Sequence, residues 1–258
     1  MGQFDMSAER LGFSADAITP STFLAALAEG LTLFFFVFIG CGTIVLIGGA
    51  AEPAGLVGIS LVFGLMIAVL VSATAGISGG HVNPAVTVAM VITGRLKLGP
   101  GLLYIVFQLI GAVLGAALLQ VVLVDSIEGG LGITTVNDAA VDGTVAAVIV
   151  EAVLTFLLVF TIFAVAVDSR GPKVIAPLAI GLAVLVDHFV GVNLTGASMN
   201  PARSLGPALV TGEWDDQWVY WVGPLIGAAL AALLYVGVFL RLAEMSDEPE
   251  SSEPANAG

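Results

Sequence analysis

Apolar residues in this chain fall in long, almost uninterrupted runs rather than alternating with polar ones. Six such runs, uncharged or nearly so, lie near 22–49, 56–75, 101–123, 144–167, 174–192 and 218–240. About 20 helical residues cross the roughly 30 Å hydrocarbon layer of a bilayer, so each run is long enough to span it. In lipid a span must satisfy its own backbone groups, and a continuous apolar run does that as a helix, whereas a barrel strand would alternate with period two. The predicted class is an all-α membrane protein.

Two further apolar segments are helical in pattern but too short to cross, Asn83 to Ile92 and Asn200 to Val210. Each follows a Gly-rich stretch and reads as a re-entrant half-helix, which is tolerated at membrane depth where it lines water or protein. Pro84 and Pro201 occupy the first helical position, where a missing N–H is harmless, directly after an asparagine suited to cap the helix.

The two short segments belong to an internal repeat. Ser78-Gly-Gly-His-Val-Asn-Pro-Ala-Val-Thr87 matches Thr195-Gly-Ala-Ser-Met-Asn-Pro-Ala-Arg-Ser204 at an offset of 117. Glu29, Phe34, Val37 and Phe38 match Glu151, Phe156, Val159 and Phe160 at an offset of 122. Each half holds three spans, an odd number, so the second copy enters the membrane inverted. Inverted repeats place a site near the midplane, where the halves meet. The membrane unit is expected over 22–241, with one repeat at about 22–123 and the other at about 144–241. Segment 1–21 precedes it, and an acidic tail, 242–258, rich in Glu, Ser and Pro, is expected to be disordered.

Charge orients the chain. Arg10, Arg95, Lys97, Arg170, Lys173 and Arg241 all fall beside span ends on the side shared by both termini, while the opposite loops carry only acids. By the positive-inside rule that shared side is cytoplasmic, making this a multi-pass cell-membrane protein with both termini inside. The net charge of −13 makes nucleic acid an unexpected partner. Met1 to Pro20 carries Asp5 and Glu9 with no basic patch, so it does not read as a cleaved signal peptide. Two histidines and one cysteine, well separated, form no catalytic or metal constellation. Neither an enzyme nor a metal or cofactor site is expected. One basic residue, Arg203, falls outside the topological pattern.

An asparagine that caps a helix with its carbonyl keeps its NH₂ as a donor. Two such donors on half-helices meeting N-terminus to N-terminus form a site for a water oxygen, with both positive dipole ends raising the energy of any cation there. A water held by both turns its hydrogens outward and cannot relay a proton inward.

The pair Asn83-Pro84-Ala85 and Asn200-Pro201-Ala202, with Ser78-Gly79 and Thr195-Gly196 before them, resembles the signature of the aquaporin/major intrinsic protein family. That resemblance implies six helices with two half-helices, one pore per subunit and a homotetramer. It also implies a filter at Phe63, His188, Ala197 and Arg203, the aromatic-histidine-arginine set of water-selective members. His188 and Asp187 are ionisable residues inside an apolar span, which independently marks them as functional candidates. Backbone carbonyls of Gly79, Gly80, His81, Gly196, Ala197 and Ser198 are expected along the path, with Glu29 and Glu151 bracing the loops. The function implied is passive water conduction that excludes protons and ions. The alternative is a facilitator of small neutral solutes such as glycerol, ammonia or carbon dioxide on the same fold, which the small Ala197 leaves open. Gly111-xxx-Gly115 and Gly223-xxx-Gly227 permit close helix approach within the bundle or between subunits.

Overall fold

A computed structural model describes residues 18–124 and 130–242. The segments 1–17, 125–129 and 243–258, including Arg10 and most of the acidic tail, lie outside the described residues. Among the described residues eight α-helices follow in order: α1 (Pro20–Leu46), α2 (Pro53–Thr74), α3 (Pro84–Ile92), α4 (Leu98–Val122), α5 (Gly143–Ile162), α6 (Ala176–Thr195), α7 (Pro201–Thr211) and α8 (Val219–Leu234). Two of them continue in π-helical turns, α5 through Phe163–Val167 and α8 through Tyr235–Leu240. Six are long and apolar enough to cross a membrane.

Local chemistry sets several of the boundaries. Thr19 caps α1, its hydroxyl accepting from the Thr22 N–H, and Pro20 starts the helix. Toward its far end the sequence pattern predicts a run to 49, but the helix stops at Leu46 because Gly48 and Gly49 turn left-handed. Conversely α6 runs past the predicted 192 to Thr195 and is ended by a left-handed Gly196. The π-helical turns carry no signal in the apolar pattern.

Helix α1 packs along α4 and α5 along α8, while α2 and α6 cross between the halves. Small residues make these contacts possible. A Cβ at Gly111 would collide with the Gly30 carbonyl and one at Gly115 with that of Phe34; Gly227 meets the Ala152 carbonyl in the same way. Both Gly-xxx-Gly pairs are therefore used inside one subunit. At the α2–α6 crossing, Gly64 and Gly181 face each other with no room for a side chain on either.

The bundle exposes large apolar side chains and buries several polar and charged ones within an otherwise apolar core. Phe23, Leu27, Leu31 and Phe35 of α1 and Leu61, Leu65 and Val69 of α2 are exposed, whereas Glu29, Gln108, Glu151, His188 and Arg203 are buried. Water would reject that outer surface; a bilayer accepts it.

Candidate functional site: two half-helices and a filter

The half-helices α3 and α7 meet at their N-termini. Asn83 Oδ1 accepts from the Ala85 N–H at 2.8 Å, and Asn200 Oδ1 from the N–H groups of Ala202 at 3.1 Å and Arg203 at 3.4 Å. Each amide nitrogen then reaches across to the other half. Asn83 Nδ2 donates to the Met199 carbonyl at 2.7 Å, and Asn200 Nδ2 to the Val82 carbonyl at 2.8 Å. An amide nitrogen has two hydrogens, so each asparagine spends one on locking the halves together and keeps one. The sequence reading treats the whole NH₂ as a free donor; the structure halves that allotment.

The loops leading into the half-helices share one conformation. Positive φ occurs at Gly79, Gly80 and Val82, and at Gly196, Ala197 and Met199, matching positions of the repeat. For Val82, Ala197 and Met199 this is a strained backbone that the surroundings must enforce. Buried carboxylates do so. Glu29 Oε1 accepts from Ser78 Oγ at 2.6 Å and the His81 N–H at 2.9 Å, and Oε2 from the Val82 N–H at 2.7 Å. Glu151 Oε1 accepts from Thr195 Oγ1 at 2.6 Å and the Ser198 N–H at 2.9 Å, and Oε2 from the Met199 N–H at 2.7 Å. Several donors per carboxylate are what make a fully buried acid tolerable.

Three further side chains support these loops. Gln108 Nε2 donates to Glu29 Oε2 at 2.9 Å, adding a fourth donor that the second half lacks. Its signal was there, a glutamine in the middle of an apolar span. Tyr104 and Tyr220 hydroxyls bind the carbonyls of Ser78 and Thr195 at 3.1 Å and 2.9 Å.

Away from the asparagines, three of the four filter candidates come together. The rings of Phe63 and His188 stack at 4.6 Å between centroids, and Arg203 Cζ lies 5.1 Å from the Phe63 centroid. Arg203 Nη1 donates to the Gly132 carbonyl at 2.7 Å, and His188 Nδ1 to the Val184 carbonyl at 2.8 Å. His188 Nε2 and Arg203 Nε are buried polar atoms with no hydrogen-bond partner among the described residues. Ala197 is fully buried and packs on Gly191 of α6. Asp187 is buried as well, with its Oδ2 unpartnered.

Two cavities approach this region from opposite ends. One, of about 510 Å³, is bordered by Gly79, Gly80, His81 and Asn83 and opens beside Arg95 and Lys173. The other, of about 560 Å³, is bordered by Gly196, Arg203 and the segment Thr135 to Ala139. Ser198 borders neither; its hydroxyl bonds the Asn200 carbonyl at 3.0 Å and Ser204 Oγ at 2.6 Å.

The sequence pattern of the major intrinsic protein family matches residues 17–235. The chain belongs to that family. Among its curated relatives, aquaporin-4 of Bos taurus is 48% identical over 225 residues, 86% of this chain and 69% of that protein. Aquaporin TIP1-2 of Musa acuminata is 44% identical over 248 residues, 93% of this chain and 96% of that one. In fold, the chain is similar to the aquaglyceroporin of Plasmodium falciparum, with a TM-score of 0.75 at 21% identity, covering 86% of this chain and 99% of that one. With family membership and six membrane-crossing helices, this major intrinsic protein is a multi-pass membrane protein.

Proposed function

We propose that the chain is a passive water channel, and the observation that carries this reading is the meeting of Asn83 and Asn200. The amide hydrogen left on each converges where two helix N-termini point, so a water oxygen is held by two donors and turned away from its neighbours. Proton relay fails there because that water's own hydrogens face outward, and a cation meets two positive dipole ends. Aquaporin-4 and TIP1-2, close relatives over most of the chain, carry the name aquaporin.

In this reading Phe63, His188, Ala197 and Arg203 form the filter. Arg203 repels cations and offers donors, His188 narrows the passage and offers Nε2, and Phe63 supplies a wall without polar partners. The carbonyls of Gly79, Gly80, His81, Gly196 and Ser198 provide successive acceptors, and Glu29 and Glu151 hold them in place. The channel unit is residues 22–241, the molecule works without chemical turnover, and it assembles as a homotetramer with the face bearing Arg95 and Lys173 toward the cytoplasm.

The test is stopped-flow light scattering of proteoliposomes under a sucrose gradient, then a glycerol gradient. Fast shrinkage with a low activation energy and no glycerol re-swelling is the expected result. Permeability no higher than that of empty liposomes would sink the reading. Re-swelling in glycerol would move the chain to the small-solute facilitators.

A further inference from the structure

The two halves hold their half-helices differently. In the first, the Thr87 hydroxyl donates to the Asn83 carbonyl at 3.0 Å and accepts from Gln108 Nε2 of α4 at 3.0 Å. The repeat places Ser204 where Thr87 stands and α8 where α4 stands, with Tyr220 matching Tyr104 in sequence and in its bond to a loop carbonyl. Four residues beyond those tyrosines come Gln108 in α4 and Pro224 in α8. Proline has no side-chain donor, so the second half draws one from elsewhere.

That donor is Thr134, on the connection between α4 and α5. Thr134 Oγ1 donates to Ser204 Oγ at 2.8 Å, Ser204 Oγ lies 2.6 Å from Ser198 Oγ, and Ser198 Oγ donates to the Asn200 carbonyl at 3.0 Å. A hydroxyl has one hydrogen, so with that of Ser198 committed to Asn200 the chain runs one way, from Thr134 to Ser204 to Ser198. All three side chains are buried. Thr134 also packs on Gly196, where an added Cβ would lie 3.1 Å from its Cα and Cγ2. Nearby on the same connection, the Gly132 carbonyl accepts from Arg203 Nη1, and Asn137 donates to the carbonyls of Leu194 and Asn193. One short stretch of backbone thus grips two consecutive residues of α7, Arg203 and Ser204.

We propose that Thr134 is a positioning residue for the filter. Its hydroxyl anchors the connection to Ser204, which keeps the Gly132 carbonyl where it holds the Arg203 guanidinium. The same chain, through Ser198, keeps the left-handed Ala197 and Met199 in register with Asn200. An Arg203 freed to swing widens the passage, so this hydroxyl sets how strictly solutes larger than water are refused. The inference rests on the filter within the water-channel reading above.

Glycerol-to-water permeability ratios in proteoliposomes, together with thermal midpoints in detergent, test it. Thr134→Val keeps the shape and removes the hydroxyl, whereas Thr134→Ser keeps the hydroxyl. Thr134→Val is expected to raise the ratio about fivefold, the factor one ordinary hydrogen bond is worth, and Thr134→Ser to leave it within about twofold of the unaltered protein. Ser204→Ala cuts the same chain, so it should raise the ratio as much, and the Thr134→Val/Ser204→Ala pair no further than either alone. A lower midpoint with an unchanged ratio in Thr134→Val would make the hydroxyl merely structural and overturn the proposal, as would an equal rise in Thr134→Ser. Should Thr134→Val fail to assemble, an unchanged ratio in Ser204→Ala overturns it by itself and a raised one supports it. An unaltered protein no more permeable to water than empty liposomes overturns the water-channel reading, and this inference with it.

Discussion

Arg203 is held by Gly132. The guanidinium Nη1 donates to the Gly132 carbonyl at 2.7 Å, so the connection between α4 and α5 positions the one buried arginine of the filter. Gly132 can sit there only without a side chain, since a Cβ would lie 2.9 Å from both the Cα and the carbonyl oxygen of Cys41. Its φ of +66° also suits glycine.

Gly132→Ala is therefore expected to push this connection off α1 and release Arg203. Overpacking and the left-handed backbone together cost about 1–3 kcal/mol. A lower thermal midpoint in detergent and a rise in glycerol permeability relative to water are the expected readouts. An unchanged midpoint with unchanged selectivity would show that the Gly132 contact does not set the filter.

His188→Ala removes the ring stacked on Phe63 and the unpartnered Nε2. The passage widens, so glycerol or urea influx should increase about tenfold while water permeability stays within about twofold, the scale of a lost size restriction in a pore that remains lined by Arg203. Solute influx equal to that of the unaltered protein would remove His188 from the filter.

The two bracing carboxylates should differ in weight. Glu29 accepts from four donors and Glu151 from three, Gln108 making the difference. Replacing either by Gln turns an amide NH₂ toward a backbone N–H and strands a buried donor, at about 1–3 kcal/mol. Both variants should melt lower and conduct less water, with Glu29→Gln the worse of the two. Thermal unfolding of the pair in detergent checks the order, and a smaller loss for Glu29→Gln contradicts it.

Asp168, just past the π-helical turn of α5, accepts from Arg170 Nη2 at 2.6 Å and the Tyr235 hydroxyl at 3.0 Å. The Arg170 hydrogen bonds hold its carboxyl below the ordinary value near 3.8. A folded-state pKa below the unfolded one stabilises the protein above about pH 4 and loses that contribution as pH falls further. Asp168→Asn should lower the midpoint near pH 7, where that contribution is fully present, and flatten the acid limb of the midpoint-versus-pH curve between about pH 4 and pH 2. An acid limb as steep as that of the unaltered protein would count against the pairing.

Mercurials should leave water flow unchanged. Position 197 is alanine, and the single cysteine, Cys41, is fully buried against Gly132. Mercuric chloride in the stopped-flow assay tests this; block that disappears in Cys41→Ser would reveal an accessible Cys41.

Much of the fold was legible because membrane spans and helix caps are local. An apolar run of sufficient length is its own span, and Asn-Pro is its own helix start, so α3 and α7 begin at Pro84 and Pro201 with Asn83 and Asn200 as caps. The boundaries that shifted did so where apolarity is a poor guide: Gly48 and Gly49 end α1 by backbone conformation, and the π-helical turns at Phe163 and Tyr235 arise where side chains of two helix ends pack together.

By itself the sequence determined the six spans, the two capped half-helices and the inverted repeat, since each is written in residues adjacent or periodic along the chain. Only the tertiary structure decided which atoms meet. The Asn83 amide on Met199, Gln108 on Glu29 and the Gly132 carbonyl on Arg203 join residues 116, 79 and 71 positions apart. No period or spacing encodes such pairs, because they depend on where the packed helices bring groups that lie far apart in the chain, and two of the three acceptors are backbone carbonyls, which look the same at every residue.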